Sequence, residues 1–195
     1  MAKINYSFGY KSTWFAIKNT DIFSKLSILY KITDVCDISW GNGLLEVEHS
    51  NSKIFISGPY EGWYFLISKG LCDPSQTEDI ITLLLKFGKI SEEVCYFSSY
   101  RTVETYGFAK AIRGQVIRMY CYSGESGCIY KNIGEKTDAE KELGLNFASN
   151  NDELFEDGFS QIDEDDILML AEKLSLSPEL LIGMEERKSV IGVIL

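Results

Sequence analysis

The strand-forming runs in the middle of the chain constrain the fold most. Phe108 to Ile112 and Gln115 to Tyr122 flank the two-residue signal Arg113-Gly114, and Cys128-Ile-Tyr130 follows after Gly124-Glu-Ser-Gly127. Two glycines between alternating apolar runs mark a hairpin. Upstream, Thr13-Trp-Phe-Ala-Ile-Lys18, Leu44-Leu-Glu-Val-Glu48, Lys53-Ile-Phe-Ile-Ser57, Gly62 to Ser68 and Val94 to Ser98 also read as strands. Gly41-Asn-Gly43 reads as the turn before the second of these, and Gly58-Pro59 as the break after the third.

Helical period intervenes in a few places. Ile22, Phe23, Leu26 and Leu29 share one face behind a cap at Asn19 or Thr20. Thr77 to Phe87 has a capping residue, acids in its first turn and an apolar stripe, with Gly88 to end it. Thr137-Asp-Ala-Glu140 is a capping box. Asp163 to Leu174 sets acids in its first turn and a stripe of Ile167, Leu170, Ala171 and Leu174. Ser177-Pro178 opens one more short helix. Strand runs broken by single helices predict an α+β fold with a largely antiparallel sheet and an acidic helical C-terminal part. No Pro-rich or Gly/Ser-rich linker divides residues 1–195, which predicts one domain. A loose duplication over about 9–90 and 91–180 is suggested by the order of elements alone.

Composition excludes several function classes. Five cysteines without CxxC spacing and no export signal or long apolar run predict a cytoplasmic chain with buried thiols and no membrane association. With His49 as the only histidine, zinc ligation is not expected, and any Ser-His or Cys-His mechanism would rest on His49 alone, with nothing nearby to mark its partner. His49 reads as solvent-facing, at the end of a strand. Ser126 has a glycine two positions before it, but the next glycine comes one position too early for a nucleophile elbow, and a strand follows where a helix is needed. No phosphate-binding loop, dinucleotide fingerprint or EF-hand pattern occurs, so no cofactor or metal is expected.

The formal charge of −10 is concentrated. Glu135 to Asp166 holds twelve acids and two bases, while acids and bases balance elsewhere. Such a chain does not suit phosphate backbones. A carboxylate pair could serve acid–base chemistry, but these acids fall in helix first turns and in the loop Asn150 to Gly158, where caps and solvent account for them.

Certain landmarks resemble a broad family of bacterial cytosolic proteins. They are Gly9 to Lys18, Lys53 to Trp63, Tyr106-Gly-Phe-Ala-Lys110 with Val116 to Tyr122, and Asn132-Ile-Gly-Glu135 with Glu140 to Gly144. The likeness covers about residues 9–180. Some such proteins resemble immunity partners of polymorphic toxins, including those of contact-dependent growth inhibition systems. The resemblance implies a binding protein with no catalytic residue, whose partner is the C-terminal domain of a cognate toxin.

Two expectations follow. In the first, an acidic surface meets a basic, nuclease-type toxin domain, with Asp152, Glu153, Glu156, Asp157, Asp163, Glu164 and Asp165 in the footprint and Phe155 and Phe159 as apolar anchors. In the second, a small-molecule binder or enzyme has a pocket near Trp14, Tyr60, Trp63 and Arg118, with Arg101, Arg113 and Arg118 holding an anion.

Overall fold

The computed structural model describes residues 2–19, 21–25 and 32–194. Among the described residues nine strands form one sheet: β1 (Thr13–Lys18), β2 (Ile32–Asp37), β3 (Lys53–Tyr60), β4 (Trp63–Ile67), β5 (Glu93–Tyr100), β6 (Thr105–Ile112), β7 (Gln115–Ser123), β8 (Cys128–Ile133) and β9 (Ser189–Ile194). Their order is β2-β9-β3-β4-β1-β5-β6-β7-β8, and the neighbours pair antiparallel. The fold is α+β, as the strand runs predict.

Both faces of the sheet are covered. Trp14, Phe55, Phe65, Phe97, Phe108 and Tyr120 point to one face, where α1 (Trp40–Glu48), α3 (Asp138–Glu142), α4 (Glu164–Leu174) and the loop between the last two pack on them. Phe15, Ile17, Leu66, Val94, Tyr96 and Met119 point to the other, which α2 (Thr77–Phe87) covers with Ile80, Leu83, Leu84 and Phe87. Burial on both faces explains why β1 is apolar at nearly every position rather than alternating. Trp14 stacks on Phe97 with centroids 5.2 Å apart, directly across the β1–β5 pair.

The turns explain the hairpins. Arg113 and Gly114 both have positive φ, 50° and 73°, the combination a two-residue turn with the right strand twist requires. The Gly124 to Gly127 segment is the β7–β8 turn, and Ser126 lies exposed within it, its N–H donating to Ser123 Oγ at 3.2 Å.

Four sequence expectations are corrected. Leu44 to Glu48 is helix, not strand: Trp40, Gly43, Leu44 and Val47 form a buried helical stripe. The Gly41-Asn-Gly43 stretch is inside that helix rather than a turn. A Cβ at Gly43 would sit 2.2 Å from Phe55 Cδ2, so the glycine allows the helix to approach the sheet. Gly58-Pro59, a cis peptide, lies within β3 at a register shift, and the connection to β4 is Glu61-Gly62. His49 is exposed as expected, but at the C-cap of α1. Gly88 ends α2 as expected, at its C-cap, though at φ −62° and not in the left-handed conformation. Strands β2 and β9 were not expected. β9 inserts between β2 and β3, pairing Ser189–Ile194 with segments more than 130 residues earlier in the chain. Of the helix expected after Asn19, residues 23–25 are helical and Ile22 is buried, while Leu26 and Leu29 lie outside the described residues. Among the described residues no helix is long and apolar enough to cross a membrane.

Candidate functional site: an acidic lobe over one sheet face

The acidic window folds into α3, an irregular loop and α4. Its first component is internal. The Thr137 capping box forms, with Thr137 Oγ1 accepting from Glu140 N at 3.2 Å and Glu140 Oε2 accepting from Thr137 N at 2.8 Å. Glu140 is fully buried, and Arg118 Nε donates to both its oxygens at 3.0 Å while Nη2 donates to Oε1 at 2.8 Å. The Arg118 Nη1 donates to Asn132 Oδ1 at 2.6 Å and to the Ile133 carbonyl at 3.0 Å. This network ties α3 to the β7–β8 hairpin. Asp138 and Glu142 are paired with Lys141 and Lys173 at 2.9 and 2.8 Å on the surface. The first four acids of the window are therefore largely neutralised, apart from Glu135.

The second component is the loop. Asn150 Oδ1 accepts from the N–H groups of Asp152 and Glu153, and Glu153 returns the clasp by accepting from Ser149 N and Asn150 Nδ2 at 2.9 and 2.8 Å. Asn146 closes the base, bonding the Gly158 carbonyl and Ser160. Asn151 Oδ1 accepts the Ile129 N–H at 2.7 Å, pinning the loop to β8, the edge strand. Leu154 is buried beneath it. Above this scaffold Asp152, Glu156 and Asp157 are exposed, with Phe155 among them at 65% exposure, its ring over Gly127 of the β7–β8 turn. Phe159 is partly buried against the core, and serves packing rather than a free anchor.

The third component is the first turn of α4. Asp163 and Asp166 form a reciprocal capping box at 2.9 and 3.1 Å. Tyr10 donates its hydroxyl to Asp165 Oδ1 at 3.1 Å. Glu164 Oε2 lies 3.8 Å from Arg101 Nη1. Burial pushes the Tyr106 phenol up, and the charges of Glu164 and Asp163 push it further. Burial likewise raises the Asp166 carboxyl, against the Asp163 N–H that favours its ionised form.

The expected footprint divides accordingly. Asp152, Phe155, Glu156 and Asp157 form one group and Asp163, Glu164 and Asp165 another, joined through Ile162, whose carbonyl accepts from Tyr122 Oη at 3.2 Å. Glu153 is engaged by the loop itself. The residues of the expected pocket do not come together. Trp14, Tyr60, Trp63 and Arg118 are buried core residues, and β7, which carries Arg118, is separated from β4, which carries Trp63, by three strands. Tyr60 Oη accepts the Arg187 N–H at 3.0 Å. Nor do the arginines converge: Arg101 and Arg113 stand at opposite ends of the eight-residue β6, roughly 25 Å apart. A cavity of about 310 Å³ instead lies between the N-terminal segment and α1, lined by Tyr6, Phe8, Tyr10, Leu44, Val47 and Ile67. Tyr10 and Tyr106, which border the acidic turn, had no local signal marking them as anything but ordinary aromatics.

Among the described residues no group of three or more His, Cys, Asp or Glu side chains is placed to hold a metal ion. Neither a protein-family model, nor a curated protein, nor a solved structure matches the chain.

Proposed function

We propose that the protein is an immunity protein, which binds the C-terminal domain of a cognate bacterial toxin of the nuclease type and neutralises it without chemistry of its own. The observation that carries the reading is Phe155: a large apolar side chain, 65% exposed, set among Asp152, Glu156 and Asp157 on a loop whose backbone is clamped by Asn146, Asn150, Asn151 and Glu153. Water is a poor solvent for an exposed aromatic, and a preorganised loop loses little entropy on docking. Such an anchor with a charged rim is the usual anatomy of a binding hot spot. A nuclease cleft must be basic to hold phosphates, so an acidic face competes for it and steers encounter.

On this reading the neighbouring gene encodes a toxin, and the test is co-expression with the C-terminal domain of that neighbour's product. The wild-type chain is expected to restore growth and to co-purify with that domain. The triple variant Phe155→Ala, Glu156→Lys, Asp157→Lys is expected to lose protection while melting at the wild-type temperature. Stopped-flow association with the toxin domain should slow as salt rises from about 50 to 500 mM, over which the screening length falls from roughly 14 to 4 Å. Full protection by the triple variant, or association indifferent to salt, would remove this face from the reading.

A further inference from the structure

The segment before β1 lies over one sheet face, with the Phe8 ring 5.5 Å from those of Trp14 and Phe65, and borders the cavity of about 310 Å³ beside α1. This strap is pinned along its length. The Tyr6 carbonyl accepts from Trp40 Nε1 at 2.9 Å, the Tyr10 hydroxyl donates to Asp165 at 3.1 Å, and the Ser12 carbonyl accepts the Ser99 N–H at 3.0 Å. The cavity is therefore formed before any ligand arrives. Phe8, Leu44, Val47 and Ile67 give it a buried apolar floor. Tyr6, Tyr10 and Leu45 also line it and are each nearly half exposed, so its rim is apolar too. Exposed apolar side chains gathered around one concavity mark a ligand site.

The polar groups of the lining divide into those already engaged and those that are not. Ser7, Ser12 and Ser68 donate to the Phe8, Tyr10 and Lys53 carbonyls, and Thr13 bonds Ser98. Lys11, Lys69 and Glu48 line the cavity as well, on exposed side chains that make no hydrogen bond or ion pair among the described residues. Two ammonium groups against one carboxylate leave a positive surplus here, on a chain whose formal charge is −10. An ammonium donates and cannot accept, so what it lacks is an anionic oxygen.

We infer that this cavity binds a small free aromatic carboxylate, with its ring on the apolar floor between the two tyrosines and its carboxylate accepting from Lys11 and Lys69. Aromatic walls favour a ring packed edge or offset against them. The volume is near the lower end of the range for small-molecule sites, which limits the ligand to one ring with a short tail. The site stands apart from the function proposed above, since neither Phe155 nor its acidic rim lines the cavity.

The probe is phenylacetate, titrated into the full chain at about neutral pH while amide and methyl resonances are followed by NMR. Saturable shifts are expected at Tyr6, Leu45 and Ile67. Phenylethanol, a neutral analogue, should bind about tenfold or more weaker, and phenethylamine weaker still. The double variant Lys11→Gln, Lys69→Gln changes only exposed side chains and should weaken phenylacetate about tenfold or more. Leu45→Glu, at an exposed position of α1, sets a carboxylate on the rim and should weaken it as well. Spectra of both variants should overlay on wild type away from the cavity, which separates lost binding from lost fold. The inference is overturned if phenylacetate shifts nothing at these residues, if phenylethanol binds as tightly to wild type, or if either folded variant binds phenylacetate as tightly as wild type does. Phenylacetate binding in the expected order, by a chain that neutralises no toxin, keeps this site and removes only the proposed function.

Discussion

Removing Glu140 should be among the most damaging single changes outside the aromatic core. The residue is fully buried and accepts from Arg118 Nε and Nη2 and from Thr137 N and Oγ1. In Glu140→Ala, Arg118 keeps its Nη1 bonds to Asn132 and Ile133, but Nε and Nη2 lose their acceptor in a region that water does not reach. Stranding one member of a buried ion pair costs about 3–5 kcal/mol, and losing the capping box adds about 1 kcal/mol. The expected total is about 4–6 kcal/mol. Replacing both partners, Arg118→Met with Glu140→Leu, removes the stranded charge. The Arg118 side chain lies over the Phe108 and Tyr120 rings, so a methionine finds apolar neighbours there. The double variant still loses the cap and the donors to backbone carbonyls, and should cost about 1–3 kcal/mol. Urea unfolding followed by circular dichroism, completed as a double-mutant cycle, measures both. In melting temperature the single variant should fall by roughly 8–24 °C, at about 2–4 °C per kcal/mol for a chain of this size. A loss below about 1 kcal/mol in Glu140→Ala, or a double variant less stable than the single one, would refute the reasoning that the stranded charge dominates.

Other expectations follow from packing and titration. Gly43→Ala should destabilise by about 1–3 kcal/mol by overpacking against Phe55, although alanine is the better helix former, and a melt no lower than wild type would contradict the close approach. Iodoacetamide at about pH 8, mapped by mass spectrometry, should modify the exposed Cys36 first. Cys95, whose thiol burial pushes up to about 12, and Cys121, raised by burial as well, should react only after denaturation. For Glu93, partial burial raises the carboxyl, but Lys18 and Lys110 at 2.9 and 3.2 Å outweigh it and hold it below the ordinary carboxylate value. Its folded pKa being depressed, its contribution is present above the ordinary value near about 4.3 and is lost as pH falls through the lower folded one. Glu93→Gln should therefore lose less melting temperature than wild type on acidification below that range, and parallel curves would refute the assignment.

The local sequence determined much of this molecule, because many of its elements are specified by neighbours a few positions apart. Arg113-Gly114 forces a tight hairpin by its positive φ angles, and the capping boxes at Thr137 and Asp163 begin their helices where their side chains reach the third amide. The gathering of acids between Glu135 and Asp166 was equally plain. What the chain alone could not disclose depended on distant partners. Leu44 to Glu48 alternates like a strand, yet its helix is chosen because Gly43 lets Trp40 and Leu44 reach the Phe55 side of the sheet. Strand β9 has a place only because the gap between β2 and β3 offers two sets of backbone partners. The acids illustrate the limit best. Twelve look alike in sequence, but tertiary packing makes Glu140 a buried partner of Arg118, Glu153 a loop clasp, and Glu164 a carboxylate with an oxygen left unpaired. Their different fates follow from which donors come within about 3 Å: neighbours along the loop for Glu153, but for Glu140 an arginine twenty-two residues away on the sheet, which only the tertiary fold brings near.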